Sequence, residues 1–240
     1  MDYKKAYEEI NAHPGKIAHD NWSNLKVTYT GIFVVNRSQL LALLDSPTKN
    51  DELIFELIQN VRSQKVKEAF QSEMLRMLHN YIASASSLVD HSRRFIRKYS
   101  DSDFGKEYDK KREVVAATPE HCFLKDLRNY LMHVGIPPIG YTIKINRGGK
   151  ETFIAQLTSS KLLEWDKWSK TARSYIEGSG GYVQLAPLIT THAAIIDTFY
   201  NWIFEQFGKI HGAEIEEVNK LIGATIPEWV KEERRKADQA

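Results

Sequence analysis

Residues 64–99 read QKVKEAFQSEMLRMLHNYIASASSLVDHSRRFIRKY, with neither glycine nor proline. Val66, Phe70, Met74, Met77, Tyr81, Ala85, Leu88, Ser92, Phe95 and Tyr99 recur through this stretch at steps of three or four, which is the stripe of one amphipathic helix. At about 1.5 Å per residue it spans roughly 50 Å, long enough to be the spine of a helical bundle. The flanking segments decide how much of the chain joins that bundle.

Downstream, Ser100, Asp101, Ser102 and Asp103 close the helix and cap a charged one over about 104–116. Thr118-Pro119-Glu120 then supplies an N-cap, a proline at the first helical position and an acidic first turn. The helix they open runs through FLKDLRNYLMHV, with Leu124, Leu127, Tyr130, Leu131 and Val134 on one face, and stops at Gly135 and Pro137-Pro138. The period then changes: YTIKI (141–145) and TFIAQL (152–157) flank the turn-forming residues 146–151, predicting a β-hairpin that must pack on the helices. Ser159 or Ser160 opens an aromatic helix carrying Leu162, Trp165, Trp168, Ala172 and Ile176. Gly178-Ser179-Gly180-Gly181 reads as a flexible linker, and residues 185–210 as another long buried helix with Ile189, Ile196, Phe199, Ile203, Phe207 and Ile210 inward.

Upstream, Tyr3, Tyr7 and Ile10 predict a short helix broken at His13-Pro14-Gly15. VTYTGIFVV (27–35) is β-branched and aromatic and predicts a strand or extended edge segment. Ser38 caps a helix with Leu40, Leu41, Leu43 and Leu44 that Ser46-Pro47 ends, and a second helix carries Leu53, Leu57 and Val61. The expected fold is therefore mainly α: an up-and-down helical bundle with a small β-hairpin insertion and long C-terminal helices. Its parts are an N-terminal helix and extended segment (1–37), a helical core (38–138), the hairpin (139–158), helices completing the same domain (159–225) and a charged tail (226–240).

The 240 residues hold 33 Lys and Arg against 31 Asp and Glu, with 42% hydrophobic and 27% charged positions. That is a globular composition, which excludes disordered, collagen-like and low-complexity scaffolds. A formal charge of +2 gives no global field toward polyanions, so any nucleic-acid site is local. Cys122 is the single cysteine, which excludes an intramolecular disulfide, and no Cys/His pairing has zinc spacing. Neither metal nor cofactor is expected. The charged start MDYKKAYEEI lacks the apolar stretch of a signal peptide, and the apolar runs are too short for a bilayer, so the expectation is a soluble, cytoplasmic protein with no membrane partner.

Gly-rich phosphate loops, H-E-x-x-H, G-x-S-x-G and paired-Asp magnesium motifs are all missing. What stands out is Arg128-Asn129-Tyr130-Leu131-Met132-His133 at the end of a helix. With 12 Arg and 8 His in 240 residues, chance supplies about 0.4 such Arg/His pairs, and requiring one of the 11 Asn directly after the Arg lowers this to about 0.02. Arg128 and His133 lie about 140° apart around a helix, so one straight helix does not aim both at one atom. A two-fold mate closes the gap if the helix end lies at an isologous dimer interface.

With this R-N-x3-H motif late in an α-helical bundle, after a long helix such as LHNYIASASSLVDHSRRFIRK (78–98), the chain resembles the HEPN superfamily, best over residues 40–138. The resemblance implies a homodimeric helical bundle and, where Arg and His are retained, metal-independent endoribonuclease activity in toxin, phage-defence or RNA-processing roles, with an antitoxin or defence-system protein as partner. Arg128 and His133 match the motif's invariant positions and Asn129 its usual polar one. No adjoining toxin, antitoxin or effector module is visible in this sequence.

The chemistry suits these residue types. RNA is cut without metal when its own 2′-OH attacks the adjacent phosphate; an imidazole moves the proton and a guanidinium neutralises the transition-state oxygens. Asn129 could orient the phosphate or the ring, and Asp126 could hold Arg128 or fix the tautomer of His133. The bland alternative is a His complementing a helix C-terminus and an Arg pairing with Asp126 or Glu120. Arg93, Arg94, Arg97, Lys98, Lys106, Lys110, Lys111 and Arg112 face only Asp101, Asp103, Glu107 and Asp109 across residues 93–112, a local excess of +4 that either tracks an RNA backbone or is a solvated helix end. His79, Asn80 and His91 on the long helix are either supporting donors or satisfied interface groups. Trp165, Trp168 and Tyr175 either stack bases or fill the core. The sequence thus points to an RNA-cleaving homodimer, or to a catalytically silent HEPN-like module that binds a nucleotide or a protein.

Overall fold

The structure, a computed structural model, describes residues 3–59, 64–145 and 151–226. α1 (Tyr3–Ala12) and α2 (Pro14–Val27) are separated at His13, as the His-Pro-Gly signal predicts. A π-helical segment, Thr28–Phe33, carries the chain into α3 (Val34–Lys49).

This overturns the extended reading of 27–35, and packing explains why. Thr28, Tyr29 and Phe33 are buried, Tyr29 stacks on Tyr200 with ring centroids 5.3 Å apart, and its hydroxyl donates to Asp197 at 2.7 Å. These are tertiary contacts that override the local β preference of Val, Thr and Ile. α3 also runs past the expected stop at Ser46-Pro47. Pro47 cannot donate to the Leu43 carbonyl one turn back, but the Ser46 hydroxyl does so at 2.8 Å, which lets the last turn survive its proline.

α4 (Asp51–Ile58) starts at Asn50, whose side chain accepts the Leu53 N–H at 3.0 Å; Val61, expected in this helix, lies outside the described residues. α5 (Gln64–Ile96) is the long helix that the stripe predicts, ending in a 3₁₀ turn, Arg97–Tyr99. Phe70, Met74, Tyr81, Leu88, Ser92 and Phe95 of the stripe are buried, joined by Leu78 and Ile82. α6 (Asp103–Ala116) is capped by Ser102, whose Oγ accepts the Gly105 N–H at 3.1 Å. α7 (Pro119–His133) has its proline in the first turn and ends where expected, with Gly135 in the left-handed region at φ 138°.

β1 (Ile139–Ile145) and β2 (Glu151–Thr158) pair antiparallel, Ile143 opposite Phe153; the turn residues 146–150 lie outside the described residues. Phe153, Ala155 and Leu157 alternate inward on β2, and Phe70 of α5 meets Phe153 edge-on at 5.4 Å. A third strand joins the hairpin: β3 (Tyr182–Gln184) pairs with β2, Leu157 opposite Val183. Gly178 to Gly181, read as a flexible linker, is the tight turn into β3, with Gly180 and Gly181 at φ 69° and 103°.

The aromatic helix expected from Ser159 is broken into α8 (Ser159–Leu162) and α9 (Lys170–Glu177). Between them Trp168 folds back to stack on Phe123 and donates its indole N–H to the Leu162 carbonyl at 2.7 Å. Asp126 of α7 accepts the Ser169 N–H at 2.8 Å, so a buried carboxylate takes over a backbone donor that a continuous helix would have used internally. α10 (Leu185–Thr225) is the long C-terminal helix, extending beyond the expected residue 210; Ile189, Ile196, Phe199, Ile203 and Phe207 are buried as expected, but Ile210 is exposed. The tail 227–240 lies outside the described residues.

Overall the fold is mainly α with a small three-stranded antiparallel sheet. Two compact units can be distinguished. Val27–Tyr200 forms one, and the described parts of Met1–Lys26 and Asn201–Ala240 form the other. In the second, Trp22 stacks on Phe207 at 5.9 Å, and α2 approaches α10 so closely that a Cβ on Gly15 would lie 2.0 Å from the Glu214 carbonyl oxygen. Every residue of the motif belongs to the first.

Candidate functional site

α7 is built to bury one face and leave another free. Phe123, Leu124, Leu127 and Tyr130, at steps of three and four, are buried. Leu131 is half-buried and Val134 is exposed, so the apolar face is shorter than the sequence predicts. His121, Lys125, Arg128 and Asn129 follow at steps of four, three and one along the opposite side, and all four line one cleft of about 290 Å³. The far wall is α5, through Tyr81, Ala85, Ser86, Asp90 and Arg93.

Arg128 is exposed and Asn129 half-buried, and neither makes a hydrogen bond or ion pair among the described residues. His133 is exposed too, and its ring likewise bonds to none of the described residues, helix-end carbonyls included. Arg128 thus forms no ion pair with Asp126 or Glu120, while His133 sits in the last turn of α7, where its charge would complement the helix C-terminus. His133 does not line the Arg128 cleft, in keeping with the 140° between them. Around it, Met132 is 61%, Val134 50% and Ile136 73% exposed, an apolar group at the helix end.

Asp126 is turned elsewhere. It is buried, accepts from Ser169, and bonds neither Arg128 nor His133, so it anchors α9 to α7. His79 is exposed in a separate cleft of about 380 Å³ with Arg76, Leu131, Gly135 and Ile136, while Asn80 is half-buried and lines neither cleft. His91 is satisfied by Thr28 at 3.2 Å. Trp168 is buried and Trp165 packs edge-on to Tyr130 at 5.5 Å, the core role; Tyr175 also packs on Phe123.

The basic segment divides. Arg93, Arg94, Arg97 and Arg112 line a cleft of about 660 Å³ together with Asp90 and Asp109. Asp90 and Arg93 also belong to the Arg128 cleft, so the two are adjacent. Arg93 reaches Asp90 at 3.5 Å and Arg112 reaches Asp109 at 3.2 Å, whereas Arg94 and Arg97 form no ion pair among the described residues. Lys98 is exposed and lines neither cleft.

Sequence reasoning missed the floor of the Arg128 cleft. His192 of α10, 1% exposed, takes the Tyr81 hydroxyl on Nδ1 at 2.6 Å and meets His121 Nδ1 through Nε2 at 3.3 Å. Burial pushes His192 down to about 3, with His121 adding to the effect; burial and then Lys125 hold His121 below the ordinary imidazole value. Burial raises the Tyr81 phenol. The only sequence signal was His192 itself, a polar residue in the apolar run APLITTHAAII. Its partners lie 111 and 71 residues away, beyond any local pattern.

Among the described residues no helix is long and apolar enough to cross a membrane, and no group of His, Cys, Asp and Glu is arranged to hold a metal ion. No family model matches the chain, and no curated protein or solved structure is measurably similar to it.

Proposed function

We propose that the chain is a metal-independent endoribonuclease of HEPN type, acting as a homodimer in which Arg128 of one protomer works with His133 of its mate. The observation that carries this reading is that Arg128, Asn129 and His133 have no partner among the described residues, although Leu127 and Tyr130 beside Arg128 and Asn129 are buried in the core. Side chains the fold does not use are available for chemistry. In the reaction the RNA 2′-OH attacks the adjacent phosphorus as its proton passes to an imidazole, the P–O5′ bond breaks and the 5′-oxygen takes up a proton to leave as a 5′-hydroxyl, and a 2′,3′-cyclic phosphate remains. Arg128 neutralises the developing charge on the phosphate oxygens, and Asn129 orients them. The exposed Met132, Val134 and Ile136 offer the second copy an apolar seat beside His133. The adjacent clefts lined by Arg93, Arg94 and Arg97 give the strand a path to the site. Such an activity fits a toxin, phage-defence or RNA-processing role, with an antitoxin or defence-system partner restraining it.

Arg128→Ala and His133→Ala alone should each lower RNA cleavage by about a hundredfold or more. Mixed and reassembled, the two variants should recover about a quarter of wild-type activity, because half of the random dimers then hold one intact site of two. Full activity in both single variants would remove the reading.

A second reading, a silent nucleotide-binding module, is favoured by the position of His133 outside the Arg128 cleft. It predicts nucleotide binding that depends on Arg128 and no cleavage under any condition.

A further inference from the structure

A polar chain in Val27–Tyr200 runs from buried Tyr81 and His192 to His121, and it ends in the cleft that holds Arg128. Tyr81 is fully buried, and the described structure gives its hydroxyl one side-chain partner, His192 Nδ1. A buried phenol that stays protonated needs an acceptor, so it donates and Nδ1 accepts. A neutral imidazole accepting on Nδ1 carries its proton on Nε2 and therefore donates onward, to His121 Nδ1. His121 in turn must carry its proton on Nε2, the one ring nitrogen of this relay without a partner among the described residues. Protonating His121 on Nδ1 would turn two donors toward each other across 3.3 Å and, if His192 flipped in response, would orphan the Tyr81 hydroxyl. The relay thus holds His121 neutral as a hydrogen-bond donor.

The polar side chains that line the same cleft from α7 are cationic or amide. Lys125 and Arg128 lie four and seven residues along α7, within about 40° of the same side, and neither is paired among the described residues. Asn129 adds an amide. Asp90 is the one carboxylate of the cleft, and it is opposed by Arg93 at 3.5 Å.

We propose that this cleft is a phosphate-binding site complete within one protomer, in which His121 donates from Nε2 while Lys125, Arg128 and Asn129 hold the remaining oxygens, with Tyr81 and His192 as positioning residues. The occupant is a phosphate oxyanion, either the diester of an RNA strand or the monoester of a free nucleotide. The inference rests on the nuclease reading only for preferring the diester. It adds that the scissile or neighbouring phosphate is gripped in cis, before the mate supplies His133.

The test is binding to the full chain of inorganic phosphate, a 2′-O-methyl dinucleotide that cannot be cut, and a 5′-mononucleotide, followed by the imidazole ¹⁵N and ¹H resonances. All bound probes should compete with one another and move the His121 Nε2 signal. His121→Ala and Lys125→Ala should each weaken dinucleotide binding by about tenfold, the scale of one charge-assisted hydrogen bond. His121→Gln, which retains a donor, should recover part of the loss. Tyr81→Phe, which keeps the packing, should lower the Nε2-protonated share of His192 and weaken binding by about threefold. Preference for the dinucleotide identifies a strand, and preference for the mononucleotide identifies a free nucleotide. His192 protonated on Nδ1 in the wild type, or unchanged affinity in folded His121→Ala and Lys125→Ala, would overturn the site. If RNA is cut while these variants bind as wild type, this inference fails and the nuclease reading stands; if the probes bind through His121 and RNA is never cut, the reverse holds.

Discussion

Arg128 and His133 are five residues apart, yet the helix sends one into a cleft and leaves the other among exposed apolar side chains. That divergence was legible in the sequence, because it depends only on 100° per residue. The His121–His192 contact was not, because it depends on how α10 returns to α5 and α7. Asp126 shows the converse: its identity and place on the helix suggested a partner for Arg128 or His133, but the break before α9 claims it for Ser169. His192 titrates at about 3 in the folded chain and near 6.5 once unfolded. Between those values the unfolded state binds the extra proton, so stability is whole above about pH 6.5 and falls as pH drops, by up to about 1.4 kcal/mol per pH unit from this group. Urea unfolding at pH 7 and pH 5 should show a smaller loss in His192→Gln, which keeps a polar partner for Tyr81, than in the wild type. Equal losses in the two proteins would mean that the buried ring does not set the acid response.

Among the elements, those defined by their own ends were readable. α7 carries Thr118-Pro119 at its start and Gly135 after its end, and α5 carries an unbroken stripe. The 28–33 segment and the Trp165–Ser169 loop were not, since Tyr29 and Trp168 find partners that no neighbouring residue predicts. Two glycines give opposite predictions that local propensity alone would make equal. In a helix interior Gly→Ala normally stabilises by about 0.5–1 kcal/mol. Gly208 of α10 has nothing within 4 Å of an added Cβ, so Gly208→Ala should raise stability by that amount. At Gly105 the added Cβ would lie 2.0 Å from the Tyr99 carbonyl oxygen, a backbone atom that a rotamer change does not move. Gly105→Ala should therefore destabilise, by about 2 kcal/mol or more, as α6 is pushed off the 3₁₀ turn that ends α5. Denaturant midpoints of the two variants on either side of the wild type would bear this out; a stabilised Gly105→Ala would show that the turn moves freely.

For the molecule as a whole, net charge says little and its distribution says more. The +2 total conceals the adjacent clefts that share Arg93 and Asp90. If they guide RNA, reversing Arg93, Arg94 and Arg97 to Glu should weaken binding of all RNA sequences alike and flatten the salt dependence, because phosphate contacts position a strand without reading its bases. Fluorescence anisotropy across a salt series measures this, and an unchanged slope would make the arginines a solvated helix end. The mainly α class was legible because helical periodicity is strong and long-ranged along α5 and α10. The third strand was not, since three residues after a glycine turn carry too little pattern.

The central claim, RNA cleavage by protein side chains alone, is tested most directly by incubating the purified chain with mixed RNA in excess EDTA and resolving the product ends. The account predicts cleavage that persists in EDTA and leaves 2′,3′-cyclic phosphate and 5′-hydroxyl termini, lost in Arg128→Ala and His133→Ala. Intact RNA, or cleavage that EDTA abolishes or that both variants retain, would contradict it.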